Sequence, residues 1–226
     1  MTIGQSWGLD RLEQACRYDA TGKQIDPPLA PFINGSSGKP YLRPEPDACY
    51  RSATALIHIL INNVAFGGVL TLNVGPAADG TIVAAQAERL LAMGDWLAVN
   101  GEAIYHTTPW RVQHANVSVP RAGPPPQPSS IEVYYTTAKD GAVYAILTGW
   151  PAVDPATMTT VITLDAPKAA TGDGAAVGAE LLGLPGAKLE ATALSGGGVR
   201  IAFPQTLGPE SLPCDSAWAI KLLGVQ

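Results

Sequence analysis

The sequence predicts two parts of different kinds, an α/β segment followed by an all-β domain, and three observations carry that reading. Residues 51–101 run helix, strand, loop, helix, which is the cadence of a β/α repeat. The second half instead offers seven short, β-rich runs separated by turn residues, the pattern of an antiparallel sandwich. The composition fits both: 46% apolar residues suffice for a core, and 24 Gly and 20 Pro imply many turns rather than a helical bundle or disorder. A chain of 226 residues accommodates two domains of ordinary size, divided here near Thr107 into residues 1–106 and 107–226.

Taken in order, the chain opens MTIGQSWG, where Trp7 has neither a basic n-region with an apolar run ahead of it nor a complete element to pack against. Residues 9–50, with IDPPLAPFINGSSGKP and RPEPDA, read as a long loop of the kind that usually serves function. From Arg51, Ala53, Leu56, Ile57, Leu60, Ile61 and Val64 recur at helical spacing, and Gly67-Gly68 supplies a stop. VLTLN at 69–73 is expected to be a buried strand running into the loop NVGPAADG. TIVAAQAERLLAMGDWLAVNG then forms a second helix, with Val83, Ala87, Leu90, Leu91, Met93 and Leu97 as its apolar positions and Asn100-Gly101 closing it. Beyond it, IEVYYTTA and AVYAILTGW form a hairpin around Lys139-Asp140-Gly141, followed by strands in TMTTVITL, AELLGL, KLEATAL, VRIAF and AWAIKLL. VQHANVSV also reads as a strand, which makes PRAGPPPQPSS at 120–130 a loop inside the second domain.

Several function classes drop out. The net charge is −5 and the 14 Lys+Arg are scattered, so no basic stripe for nucleic acid exists. No apolar stretch approaches the roughly 18 residues a membrane-spanning helix needs. NVGPAADG lacks both the Lys-Ser/Thr of a P-loop and the G-x-G-x-x-G spacing of dinucleotide sites, and Gly172-Asp173-Gly174 reads as a surface turn. No cofactor is expected. The three cysteines lack the short spacings of a zinc site, so no metal is expected either.

The side chains that carry chemistry all have structural readings. His58 lies within an apolar helix, His106 and His114 lie at the domain junction, and no Ser or Cys motif marks a nucleophile for them to activate. Glu102 follows a helix-ending Asn-Gly, Asp79 sits in an Asp-Gly turn, and Asp10, Asp19 and Asp26 belong to the loop region. Cys16 and Cys49 are either free thiols or a disulfide closing a loop of roughly 34 residues, worth about 3–4 kcal/mol on the chain-entropy account. The sequons Asn34-Gly35-Ser36 and Asn116-Val117-Ser118, both in loop-like sequence where a glycan would be solvated, lean toward an oxidising, glycosylating compartment.

Read together, SWG at 6–8, GG-x-L-x-LNVGP-x-ADG-x-I at 67–82, LLAMGDWLAVNGEAIYHTTPWRV at 90–112, YAILTGWP at 144–151 and AWAIKLLGV at 217–225 resemble the α-L-fucosidases of glycoside hydrolase family 29, in particular the lysosomal, animal-type members. The resemblance covers most of the chain outside the insert around residues 17–48, with Val69 departing from the family's usual Asn. It implies a (β/α)₈ TIM barrel followed by a C-terminal β-sandwich, with residues 1–106 as the C-terminal portion of the barrel, since a whole barrel needs about 250 residues. The insert would then be a βα-loop on the active-site face, or a surface elaboration.

The activity implied is retaining hydrolysis of terminal α-linked L-fucose by an Asp nucleophile and a Glu acid/base held about 5–5.5 Å apart. By the same resemblance the nucleophile lies well upstream of this sequence and the acid/base Glu just ahead of Met1, which would make Met1 an internal methionine. No catalytic residue can be carried onto this chain, which is expected to be inactive alone. Trp7 is the candidate substrate-binding residue, with barrel packing as its alternative. The implied partner is a fucosylated glycan, with an oligomer or a complementing barrel fragment as further partners, and the implied location is the secretory pathway, lysosomal or extracellular. The competing reading is a non-catalytic sandwich that binds carbohydrate or stabilises another subunit, with Trp150 and Trp218 as the aromatics to test, although packing in the sandwich core is the role expected of each.

Overall fold

The structure, a computed structural model, describes residues 50–72, 74, 76–77, 79–119, 129–151, 153–154, 159–170, 177–184, 186, 189–204, 207 and 211–226. Trp7, Asn34, the Cys16–Cys49 pair, the long N-terminal loop as far as residue 49 and the Gly172-Asp173-Gly174 turn lie outside the described residues. By its contacts the chain divides into two units, one made of residues 1–63 with 69–95 and the other of residues 64–68 with 96–226.

In the first unit, helix α1 spans Ala53–Ala65 and starts where Ser52 caps it. The Ser52 hydroxyl accepts the Ala55 N–H at 3.1 Å, satisfying one of the four orphan donors of a helix start. The expected apolar stripe is buried at Leu56, Ile57 and Ile61. The helix stops as expected at Gly67, whose φ of +76° is open to glycine at little cost. Helix α2 spans Ala84–Asn100, with residues 84–95 in the first unit and 96–100 in the second. Its buried side chains are Gln86, Met93, Trp96 and Asn100, whereas Leu91 is 68% exposed. The expected stripe is thus displaced: the polar Gln86 and Asn100 are buried and the apolar Leu91 is not.

VLTLN does not form the expected buried strand: residues 69–72 are unassigned and Val69 is 87% exposed. A strand of a parallel sheet takes its hydrogen bonds from neighbours on either side, and among the described residues none pairs with this segment. What does form is the turn that follows. Pro76 and Ile82 make an isolated antiparallel bridge, and Asp79 Oδ1 accepts both the Thr81 N–H at 3.0 Å and the Thr81 hydroxyl at 2.7 Å.

The second unit holds two antiparallel sheets. Its strands are β1 (Thr107–Val119), β2 (Ser129–Ala138), β3 (Val143–Leu147), β4 (Val153–Asp154), β5 (Thr159–Leu164), β6 (Gly178–Leu181), β7 (Glu190–Ala193), β8 (Val199–Phe203) and β9 (Trp218–Leu223). One sheet runs β1-β2-β3-β9-β6 and the other β4-β5-β8-β7. All seven expected strands are present, as is the strand expected at VQHANVSV, which is the second part of β1, and the two-residue β4 joins them. The Lys139-Asp140-Gly141 hairpin closes as predicted, with the Ala138 N–H donating to Ala142 O at 2.9 Å and Gly141 at φ +87°. Val133, Tyr135, Leu147, Trp218 and Ile220 of the first sheet share one core with Ile162, Leu164, Val199, Ile201 and Phe203 of the second, which makes the domain a sandwich.

Candidate functional site

The densest polar constellation of the second unit lies where the last turn of α2 meets β9. Strand β6 pairs with β9 from Gly178↔Leu223 to Leu181↔Ile220, and the next residue, Leu182, still donates its N–H to Ala219 O at 3.0 Å. One residue beyond that register, the Ala219 N–H donates instead to Asn100 Oδ1 at 3.1 Å, and two residues further the indole N–H of Trp96 donates to Ala217 O at 2.8 Å. Alternate polar groups of a strand point to the same edge, so side chains of α2 continue the ladder that β6 leaves unfinished. Asn100 Nδ2 donates to Trp96 O at 3.3 Å and approaches Cys214 Sγ at 3.5 Å, so both its amide nitrogen and its amide oxygen are partnered while the residue is fully buried. Burial pushes the Cys214 thiol above its ordinary value.

The next turn, a 3₁₀ segment at Gly101–Ala103, places Glu102 over the same sheet. Glu102 Oε1 accepts from Lys221 Nζ at 2.6 Å and from the Tyr144 hydroxyl at 2.8 Å. The Lys221 ammonium holds the Glu102 carboxyl below its ordinary range, and Glu102 in turn holds Lys221 above its own. Burial, aided by the bond to Glu102, pushes Tyr144 up, so it stays a donor. Thr136 on β2 completes the clasp by donating to Ala103 O at 2.8 Å. Beside this cluster lies an open cavity of about 420 Å³, lined in part by Glu102, Tyr105, His106, Lys139, Asp140 and Tyr144.

These carboxylates are poorly suited to proton donation. A general acid for glycoside cleavage needs a raised pKa, whereas Glu102 and Asp79 are both lowered, by Lys221 and by the Thr81 hydrogen bonds respectively. Glu132 accepts from Tyr134 at 3.3 Å, and Asp140 Oδ1 accepts the Ala142 N–H at 3.0 Å. The histidines are dispersed. His58 is on α1, His106 follows the 3₁₀ turn at φ +59°, and His114 on β1 stacks on Tyr134 at 4.8 Å with Glu132 at 4.0 Å. Among the described residues, no group of three His, Cys, Asp or Glu could hold a metal ion.

The structure places Asn116 differently from the sequence-level expectation and finds Trp150 and Trp218 packed with the sandwich core, as expected of them. Asn116 lies on β1 rather than in a loop, exposed and opposite Glu132. Trp150 and Trp218 form no open platform: their rings meet edge to face at 5.4 Å, Trp150 also packs on Phe203 at 4.8 Å, and Trp218 is 6% exposed. Sequence reasoning gave Glu102 a structural role but missed Asn100, Trp96 and Lys221 as partners, because each bond spans more than a hundred residues. The polar Asn100 closing an apolar stripe was the available signal.

Residues 39–102 match the α-L-fucosidase family, and residues 128–223 match the α-L-fucosidase C-terminal domain. Tissue α-L-fucosidase of Rattus norvegicus is 39% identical over 170 residues, 75% of this chain and 31% of that protein. Plasma α-L-fucosidase of Homo sapiens is 37% identical over 177 residues, 78% of this chain and 33% of that one. Among solved structures, the Thermotoga maritima α-fucosidase in complex with fucose is 28% identical with a TM-score of 0.60, over 80% of this chain and 36% of that chain. The fold and these matches define part of a glycoside hydrolase catalytic domain together with a C-terminal β-domain. The chain belongs to the α-L-fucosidases of glycoside hydrolase family 29. It spans about a third of the length of the curated relatives it matches. No helix among the described residues is long and apolar enough to cross a membrane.

Proposed function

We propose that this sequence is the C-terminal share of an α-L-fucosidase that removes terminal α-linked L-fucose from glycoconjugates with retention, and that its residues support the catalytic barrel rather than perform the chemistry. Residues 1–106 would close the TIM barrel and residues 107–226 form the accessory sandwich, with Trp7 facing the substrate and Cys16 bonded to Cys49. The observation that carries this reading is the use made of the family's WLAVNGE block: Trp96, Asn100 and Glu102 commit their polar groups to β3, β9 and the segment before β9. The nucleophile and acid/base then belong to the upstream share of the barrel, whether in the same polypeptide or in a complementing chain. The tissue and plasma relatives support a secreted or lysosomal location.

The experiment is a steady-state assay of the purified chain on an aryl α-L-fucoside. Turnover at background supports the reading. Turnover well above background that vanishes when one carboxylate of this chain is replaced would overturn it. The alternative of a free-standing carbohydrate-binding sandwich loses its support with Trp150 and Trp218 packed against each other.

A further inference from the structure

We propose that Asn116 is a glycosylation site whose glycan shields the long open edge of the five-stranded sheet. Sheet edges invite pairing with other chains, and proteins blunt them with short strands, charges, proline or a cover. Three edges of this sandwich are already blunt, since β4 has two residues and β6 and β7 have four each. The outer side of β6 is moreover already engaged, since Ala179 O accepts the Leu189 N–H at 2.9 Å. The remaining edge strand, β1, is 13 residues long, and no described strand pairs with its outer side. Pro109 and Arg111 protect its first half, but residues 112–119, VQHANVSV, contain no Lys, Arg, Asp, Glu or Pro.

The Asn-Val-Ser sequon falls in that undefended half. Val117 and Val119 turn into the core, whereas Asn116 and Ser118 are exposed on the opposite face. Among the described residues, Asn116 and Ser118, which carry the acceptor amide and the hydroxyl the sequon requires, are therefore both exposed. In the transfer, Asn116 Nδ2 forms a bond to C1 of a lipid-diphosphate-linked oligosaccharide. The C1–O bond to the diphosphate breaks, the lipid diphosphate leaves, and the amide loses one proton. The bulky, hydrated product would stand at the strand edge and keep a second strand from docking.

This inference rests on the secretory reading above, and the test separates the two. The full chain carrying Asn34→Gln is secreted from a eukaryotic host behind a supplied leader, so passage through the lumen is independent of its natural compartment. The tryptic peptide 112–121 is analysed by mass spectrometry after enzymatic deglycosylation in heavy-oxygen water, and association is followed by light scattering. The expected result is an occupied Asn116, retained in Ser118→Thr, lost in Asn116→Gln and Ser118→Ala, with several-fold more associated protein in the last two. An unmodified Asn116 in the secreted chain overturns the site. An occupied Asn116 whose removal leaves association unchanged overturns the shielding.

Discussion

Asn100, the last residue of α2, accepts the backbone N–H of Ala219 on β9 at 3.1 Å, across 119 residues of chain. Ala219 lies opposite Leu182, the residue after β6, whose N–H donates to Ala219 O at 3.0 Å while the Ala219 N–H turns to Asn100. A side chain on a helix thus supplies the acceptor that a strand carbonyl would otherwise give, and Trp96 supplies a donor two residues along the same edge at Ala217. The family-specific block around these residues is explained by this edge completion.

Trp96→Phe keeps most of the buried ring but removes the indole N–H that reaches Ala217 O at 2.8 Å. The lost hydrogen bond and the small cavity together should cost about 1–3 kcal/mol. Urea unfolding followed by circular dichroism checks this, with a lowered midpoint and an unchanged slope as the expected outcome.

The Glu102–Lys221 pair should contribute little in magnitude and much in pH signature. Both side chains are partly exposed, so Glu102→Gln should cost about 0.2–1 kcal/mol at neutral pH. Glu102 titrates below its ordinary 4.5 in the folded state, so its contribution is complete above 4.5 and fades as pH falls through the lowered value. Lys221 titrates above its ordinary 10.5, so its contribution is complete below 10.5 and fades as pH rises through the raised value. Thermal midpoints of the native and Glu102→Gln chains should therefore differ by a constant amount between those limits and converge below 4.5.

Gly183 follows the last turn of β6 at φ +83°, where a Cβ would run into Val99 Cγ1 and come within 2.8 Å of Pro213 Cβ. Gly183→Ala adds left-handed strain to this overlap, and a loss of about 2–4 kcal/mol is expected. Gly141, also left-handed at φ +87° but with nothing within 4 Å, provides the control. Gly141→Ala should lose only the backbone component, and equal losses in the two variants would refute the packing account.

The parts of the fold legible in the sequence are those whose causes are local. Lys139-Asp140-Gly141 announces its hairpin because the turn residues and the strands they join are contiguous. The strands of the second unit were readable from alternation, and Gly67 announced the end of α1. VLTLN carries an equally good strand pattern and forms none among the described residues, because a parallel strand is completed by neighbours rather than by its own sequence. Leu91 was expected inside α2 and is outside, whereas Gln86 and Asn100 are inside. A buried polar residue reveals itself only through its partner, and that of Asn100 lies on β9. The same distance hid Lys221 from a reading that already assigned Glu102 a structural role.

The central claim is that the WLAVNGE block holds β9 in place rather than carrying chemistry, and exchange of the Ala219 amide tests it most directly. In the native chain this N–H should exchange with the slowly opening core of the sandwich, alongside the ladder amides of β9. In Asn100→Ala the amide is left buried without an acceptor, a defect of about 1–3 kcal/mol, so its protection should fall roughly tenfold or more while the other β9 amides keep most of theirs. An Ala219 amide equally protected in both chains would contradict the account.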